Sequence, residues 1–455
     1  MITSLHLHNF KAFENLDLEL RPITLIIGPN NSGKSSILSA LRVLVQTLES
    51  RDPDVPLLLN GIMGDLGTYK DIVYSNNRRK PIEIGIGVID SQKAKNSEQL
   101  NFLKNNSIWD VSSENDLRIN LTFKYRAKRR ELILGGCEVK IDKQILLKTK
   151  YSEDTEKNSI EIIAGNIIPS GQKSVYSKNL RMRNFIPQMV FLFENEKSFA
   201  GLFEKNPTNL LRNMNNAFRV ISRCIENIEY LGAMRVPPSR IYTYSGERRN
   251  RIGASGENAA NILAMDNARV NRKTNRIATY VSTWLSQAKI ASSFVVTPTS
   301  DSFYEIRIQH PKTKETENLA DVGLGNSQIL PVLVGGYNLN PGSTYLVEEP
   351  EIHLHPKAQA ELGSFFLDLY AKGIQSIVET HSEHLILRLQ QYVADRKISA
   401  KDIQFLYIDA DFERKLVKVL ELDKDGFFIQ DWPGGFFPEK LEEAKNLAKI
   451  RSKYY

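Results

Sequence analysis

The chain has 455 residues, 41% hydrophobic and 25% charged, which exceeds one ordinary core and is the composition of a globular protein with two or three structural units. Its 60 Lys and Arg against 53 Asp and Glu give a formal charge of +7, enough to favour polyanions and too diffuse to name one. Residues 1–27 lack a basic start, a continuous apolar block and a small-residue cleavage site, and Cys137 and Cys224 lie far apart without ligand-like neighbours. A secreted, membrane-spanning, disulfide-framed or zinc-organised protein is therefore disfavoured, and a cytoplasmic location is expected.

Residues 2–8, I-T-S-L-H-L-H, alternate apolar and polar, and L-D-L-E-L at 16–20 alternates again, so the chain opens with a β-hairpin. His6 and His8 share one face of its first strand and read as solvent-facing rather than as ligands. The apolar run I-T-L-I-I (23–27) is a buried strand, and G-P-N-N-S-G-K-S (28–35) follows it, fitting G-x-x-x-x-G-K-[ST]. Ser36 to Gln46 has helical spacing, so the loop joins a strand to a helix N-terminus, whose dipole favours anions. The candidate ATP-binding residues are Gly28, Asn30, Asn31, Ser32, Gly33, Lys34, Ser35 and Ser36. Their backbone N–H groups wrap the phosphates, Lys34 reaches the β/γ oxygens and the Ser35 hydroxyl ligates Mg2+.

From about Ser91 to Asn227 the chain is rich in Lys, Asn and Ser, with strand-like pieces at 117–124, 131–134 and 160–164, and reads as an inserted, mostly β lobe. Residues 207–231 read as a helix or helix pair, and the lack of a sustained heptad excludes a long coiled-coil arm. Three basic clusters could track phosphates: Lys124, Arg126, Lys128, Arg129 and Arg130; Arg248, Arg249 and Arg251; Arg269, Arg272, Lys273 and Arg276. They lack clear aromatic interleaving and an evident recognition helix.

D-V-G-L-G-N-S-Q (321–328) leads into the apolar helix I-L-P-V-L-V as a second phosphate nest. T-Y-L-V-E-E-P-E (344–351) is an apolar strand ending in two acids: Glu348, to hold Mg2+ directly or through water, and Glu349, to orient and deprotonate the attacking water. Glu348 is one methylene longer than the Asp usual at that position. V-E-T-H-S (378–382) ends another apolar strand at His381, placed to touch a γ-phosphate or its water. The interval between Glu348 and His381 holds a turn with H-L-H-P and one helix, Ala358 to Tyr370. Such a crossover brings Glu349 and His381 to the same carboxyl edge as the P-loop. One edge has no room for two nests on one γ-phosphate, so the nest at 321–328 belongs to another subunit's site. Asp409 and Asp411, an Asp-x-Asp pair, read as the polar turn of an antiparallel hairpin rather than as a nuclease metal site.

This layout resembles the ABC-type ATPases of the RecF, OLD and SMC group, in which the signature loop of one protomer closes on ATP held by another's P-loop. L-G-N-S-Q (324–328) stands where that group carries L-S-G-G-Q, which implies Gly325, Ser327 and Gln328 as contacts in trans. Y-L-G-A-M-R-V-P-P-S-R (230–240), G-A-S-G-E-N (253–258), E-E-P-E-I-H-L-H-P (348–356) and D-W-P-G-G-F-F (431–437) are similar to AAA-type ATPases of bacterial phage-defence operons. The resemblance implies an α/β fold, an ABC-type P-loop ATPase head with a mixed β-sheet and flanking helices. Residues 1–90 and 231–400 would form the head, 91–230 the inserted β and helical lobe, and 401–455 a C-terminal hairpin and tail. ATP and Mg2+ are the implied cofactors. The implied partners are a second copy of the chain, in a dimer or a hexamer built as a trimer of dimers, a separate toxic effector nuclease, and DNA or an acidic phage protein, with no membrane. A RecF-like DNA-binding repair ATPase is the alternative.

Overall fold

The structure is a computed structural model that describes residues 1–89, 116–152 except 143, 159–164, 180–189, 207–267 except 245 and 247–249, 276–409 except 311, 312 and 314, and 417–433. Arg248, Arg249, Arg269, Arg272, Lys273, Asp411 and Phe436 lie outside the described residues.

The N-terminal alternation forms a hairpin of β1 (Ile2–Phe10) and β2 (Phe13–Glu19). His6 faces Asp17 and His8 faces Asn15 across it, each ring bonded to its partner at 2.6 Å, so both histidines serve surface cross-strand pairs. After β3 (Ile23–Ile27) and α1 (Lys34–Leu48) come the short β4 (Asn60–Gly61), β5 (Gly64–Asp65) and α2 (Tyr69–Ile72), then β6 (Ile82–Val88). The strand-like pieces of the middle segment are β7 (Leu117–Arg126), β8 (Glu131–Ile141), β9 (Gln144–Ser152) and β10 (Ser159–Ala164). They pair outward from β6 in the order β10-β9-β8-β7-β6-β1-β2, antiparallel throughout. One continuous sheet therefore runs across residue 90, joining the opening hairpin to the strands of the middle segment.

Next follow β11 (Leu180–Arg183), β12 (Ile186–Met189), α3 (Pro207–Glu226) and β13 (Ile228–Leu231). The helix expected over 207–231 ends early: I-E-Y-L is a fully buried strand, where β-branched and aromatic residues suit a parallel edge better than a helix face. The remaining elements are β14 (Tyr242–Thr243), α4 (Ala259–Asn267), α5 (Arg276–Gln287), β15 (Ser293–Pro298), β16 (Phe303–Gln309), β17 (Thr316–Asn318), α6 (Leu324–Tyr337), β18 (Thr344–Glu348), α7 (Pro356–Ala371), β19 (Gln375–Glu379), α8 (Glu383–Ala394), β20 (Ile403–Ile408) and β21 (Val417–Leu420). The expected C-terminal hairpin is present, with β20 antiparallel to β21. Among the described residues no helix is long and apolar enough to cross a membrane.

The second sheet, in the order β13-β18-β19-β3-β20-β21, is parallel except at β21. Its strands alternate between two cores. Ile26, Leu346, Ile377 and Leu406 face α1, α3 and the antiparallel sheet, while Leu25, Val347, Val378 and Phe405 face α4 to α8. Both faces are covered, which is why these strands read as unbroken apolar runs. Cys137 and Cys224 are buried thiols.

Two buried glutamines tie the sheets together. The Gln375 amide donates to Ile2 O (2.7 Å) and Arg21 O (3.2 Å), and its oxygen accepts from Ile2 N and Thr344 Oγ1, both at 2.9 Å. Gln404 Nε2 donates to Glu19 O at 2.7 Å. Gln375→Ala leaves the Ile2 N–H and C=O unpaired in a dry interior, and each such group costs about 1–3 kcal/mol. Denaturant unfolding of this variant should therefore show a loss above about 2 kcal/mol; a loss below 1 kcal/mol would mean that water or backbone shifts replace the amide.

Candidate functional site

The loop after β3 is shaped by its glycines. Gly28 has φ +148°, and a Cβ there would lie 2.3 Å from the carbonyl oxygen of Ile408, so only glycine lets β20 pass. Gly33, at φ +107°, caps α1, and Asn31 is also left-handed. Lys34 is buried, and Nζ donates to Gly28 O (3.0 Å) and Pro29 O (2.9 Å), with Glu379 Oε1 at 3.9 Å. Burial holds its pKa below the ordinary lysine value, against the opposing pull of Glu379 and Glu349. Ser35 is exposed and donates from Oγ to Glu379 Oε1 at 3.2 Å. Asn30 and Asn31 are exposed, Ser36 is buried, and Ser32 Oγ is buried without a hydrogen-bond partner.

The acidic strand arrives beside this loop through β19. Glu348 pairs in register with Glu379 across parallel β18 and β19, and Glu379 pairs with Ile26 of β3. Tyr230 donates to Glu348 Oε1 at 3.1 Å, and Arg42 donates to the Tyr230 hydroxyl at 2.7 Å while lying over its ring. Burial raises the Glu348 pKa. Glu349 has φ +42°, a conformation that costs a non-glycine residue about 1–3 kcal/mol. Three hydrogen bonds hold it: its N–H donates to Glu379 O at 2.7 Å, and Arg235 donates to Glu348 O (2.8 Å) and Glu349 O (3.0 Å). Arg235 is itself buried, which depresses its pKa.

His381 follows β19. Its N–H donates to Glu351 Oε1 at 2.6 Å, and Thr380 donates to the same oxygen at 2.8 Å, so a buried acid from the E-E-P-E turn fixes the histidine loop. The side chain is exposed at the rim, and desolvation, then the charge of Lys34, lower its pKa. The loop expected at 321–328 is largely helical instead: α6 starts at Leu324, capped by Gly323. Gly325 packs against the turn that follows β18, since a Cβ would lie 2.5 Å from His353 O, and Ser327 and Gln328 are buried on the helix. Gly323 opens to space.

Gly28 to Ser36, Glu348, Glu349 and His381 thus meet at one carboxyl edge, while Gly325, Ser327 and Gln328 belong to a separate helix start. Glu379, Glu351, Arg235, Tyr230 and Arg42 were not singled out from the sequence. The signal for Glu379 was an acid closing the otherwise apolar, buried strand Q-S-I-V-E. Burial, then the neighbouring Glu348, raises the Glu379 pKa to about 7. Its Oε2 is buried without a partner, and with Ser35 and Glu348 it offers a hard oxygen set that fits a divalent cation. The backbone N–H groups at the start of α1 suit phosphate oxygens.

Fold and site define a P-loop ATPase domain of the α/β class. The family model described as AAA ATPase domain matches residues 1–386, and the chain belongs to that family. Over 68 residues the chain is 41% identical to the DNA replication and repair protein RecF of Roseiflexus castenholzii, covering 14% of this chain and 17% of that protein. It is 32% identical over 124 residues to the uncharacterized protein MJECL10 of Methanocaldococcus jannaschii, covering 25% and 55%. Over 45 residues it is 42% identical to the OLD nuclease of Thermus scotoductus, covering 10% and 8%. The chain spans at most 55% of the length of these curated relatives. Similar solved structures include the SMC head domain from Thermotoga maritima (10% identity, TM-score 0.40, 93% of this chain and 99% of that one). Another is an Smc head domain with an extended coiled coil, bound to the C-terminal domain of ScpA, derived from Pyrococcus furiosus (13% identity, TM-score 0.45, 99% of each chain).

Two buried acids make stability depend on pH. Glu379 and Glu229, the latter buried on β13, both have folded-state values near 7 through burial. An unfolded glutamate titrates near 4.3, so between about pH 4.3 and 7 the folded chain holds more protons and stability falls as pH rises. The melting temperature of the nucleotide-free protein should therefore drop from pH 5.5 to 7.5, and Glu229→Gln and Glu379→Gln should each flatten that slope. A melting temperature that rises over this interval would contradict the assignment.

Proposed function

We propose that this chain is a Mg2+-dependent, ATP-hydrolysing sensor and scaffold subunit of a bacterial anti-phage defence complex, holding a separate toxic effector nuclease and releasing it on infection. The ATPase subunit of the PARIS system, AriA, is the member of that group it resembles. The observation that carries the hydrolytic part is the convergence of Lys34, Ser35, Glu348, Glu349 and His381 at one strand edge.

In this reading the N–H groups of residues 30–35 wrap the phosphates. Lys34 exchanges the carbonyls of Gly28 and Pro29 for the β/γ oxygens, which keeps the buried ammonium paired in both states. Ser35 and Glu348 would hold Mg2+, whose charge would offset the charge that develops on the phosphates. Glu349, fixed by its strained backbone, takes a proton from the attacking water, and His381, held by Glu351, contacts the γ-phosphate side. The N-terminal end of α6 of a second copy, which carries Gly325, Ser327 and Gln328, closes the site in trans. Gly323 leaves that helix start open to space, which favours the reading.

ATP that bridges two copies is a bistable device, and any partner that prefers one state is then controlled by nucleotide. The segment D-W-P-G-G-F-F supports the link to defence ATPases, yet Trp432 packs edge-on to Phe428 and Tyr407. The apolar surface beside it is Phe427 and Ile429, 69% and 63% exposed, and the effector would meet these residues or the middle segment. A second reading, a RecF-like ATPase that clamps DNA in repair, has in its favour the short match to RecF and the +7 charge.

Glu349→Gln should bind ATP, lock the closed assembly and slow turnover by about 10²–10⁴, the usual loss of a general base. Lys34→Ala should instead lose ATP binding. Purified protein gives both readouts by nucleotide binding and phosphate release. In cells carrying the operon neighbour, either variant should abolish phage protection, whereas the chain expressed alone should be harmless. Full protection by both variants would remove nucleotide cycling from the switch and leave DNA repair as the better reading.

A further inference from the structure

The hydrolytic reading gives the carboxylate of Glu379 no role, although its oxygens belong to the set that suits a divalent cation. Its side chain is 6% exposed, and β19 places it between the P-loop strand and the acidic strand, in register with Glu348. Side chains in register on adjacent parallel strands point to the same face, here the face covered by α1. Oε1 accepts the Ser35 hydroxyl at 3.2 Å and stands 3.9 Å from Lys34 Nζ, while Oε2 is buried and unpaired. The nearest cation is already engaged, since Lys34 donates to Gly28 O and Pro29 O. A buried carboxylate with one oxygen unsatisfied and two acids beside it, Glu348 and Glu349, is costly unless something positive joins it.

From this geometry we infer that Glu379 is a further ligand-bearing residue of the divalent-cation site, sharing the ion with Ser35 and Glu348. The inference rests on the ATPase reading and deepens it. Among the described residues no three His, Cys, Asp or Glu converge on one point. Two carboxylates and one hydroxyl are nonetheless the kind of partial set Mg2+ takes, with nucleotide oxygens and water completing its six positions. Glu379 then has two states. Without nucleotide it occupies Ser35 and faces Lys34, holding both where the ion and the phosphates will go. With nucleotide the Ser35 oxygen and the second carboxylate oxygen of Glu379 would be offered to the ion, which would satisfy the unpaired charge.

The role separates from that of a strut for Ser35 by its sign on metal-free binding. Glutamine at 379 still accepts the Ser35 hydrogen bond but has lost the charge. In the full-length chain with adenylyl imidodiphosphate, titration with Mn2+ followed by its electron paramagnetic resonance signal should show Glu379→Gln binding the ion about 10–100-fold more weakly than the native chain. In EDTA the same variant should bind the nucleotide as tightly as the native chain or more tightly, because a negative charge has left the phosphate pocket. Glu379→Asp, which keeps the charge one methylene back, should fall between and carries the test if the glutamine variant does not fold. Mn2+ affinity within twofold of the native chain in both variants would overturn the inference while leaving the ATPase reading intact. Failure of the native chain to bind the nucleotide at all would instead sink that reading, and this inference with it.

Discussion

The parallel pairing of β19 between β3 and β18 is the constraint on which the rest of the site depends. Ile26, Glu379 and Glu348 lie in one register across three strands whose sequence positions span more than three hundred residues. A shift of one residue in either pairing would turn Glu379 or Glu348 to the opposite face, away from Ser35 and Lys34. The register is fixed because both faces are buried. Ile26, Leu346 and Ile377 must enter one core while Leu25, Val347 and Val378 enter the other. The hydrophobic alternation that stabilises the sheet is thus also the device that aims its acids.

The same edge concentrates polar groups that would be expensive elsewhere. Arg235 spends its guanidinium on two main-chain carbonyls at the end of β18, and Glu351 spends one oxygen on the Thr380–His381 loop. These buried bonds hold Glu349 at a positive φ and His381 at the rim before any nucleotide arrives. Lys34, by contrast, is satisfied by carbonyls of its own loop, a pairing that phosphate oxygens can replace without leaving a bare ammonium. Fixed acids and one exchangeable cation describe a site preorganised for charge that comes with the ligand.

Much of this was legible in the sequence because each functional segment ends an apolar strand. I-T-L-I-I before the P-loop, T-Y-L-V before Glu348 and Q-S-I-V before V-E-T-H-S carry a local signal, and the single helix between the last two fixes their parallel order. What was missed depended on pairing partners. Glu379 has the same local setting as His381, and only its register with Glu348 and its hydrogen bond to Ser35 separate it from an acid at a strand end. The strand β13 was read as the tail of a helix because the amphipathic pattern of α3 runs into I-E-Y-L without a breaker. The strands at 117–152 looked like a separate unit because their partners β6 and β1 lie across a long polar stretch. At Leu324 the two flanking glycines suggested a loop, whereas the packing of Gly325 on the His353 carbonyl lets the helix begin there.

The central claim is that this edge forms half of a site that the start of α6 from a second copy completes, and subunit complementation tests it most directly. Gly323 has φ −56° and ψ 148°, which an L side chain can adopt, and open space around it, so Gly323→Glu adds a carboxylate at the helix start, facing the γ-phosphate in this reading, without disturbing the fold. Gly323→Glu alone and Lys34→Ala alone should be inactive. Exchanged in equal amounts they should recover roughly a quarter of native ATP turnover, because half of the two-fold dimers carry one intact composite site of two. Native turnover by Gly323→Glu alone, or no recovery among subunits shown to exchange, would contradict the account.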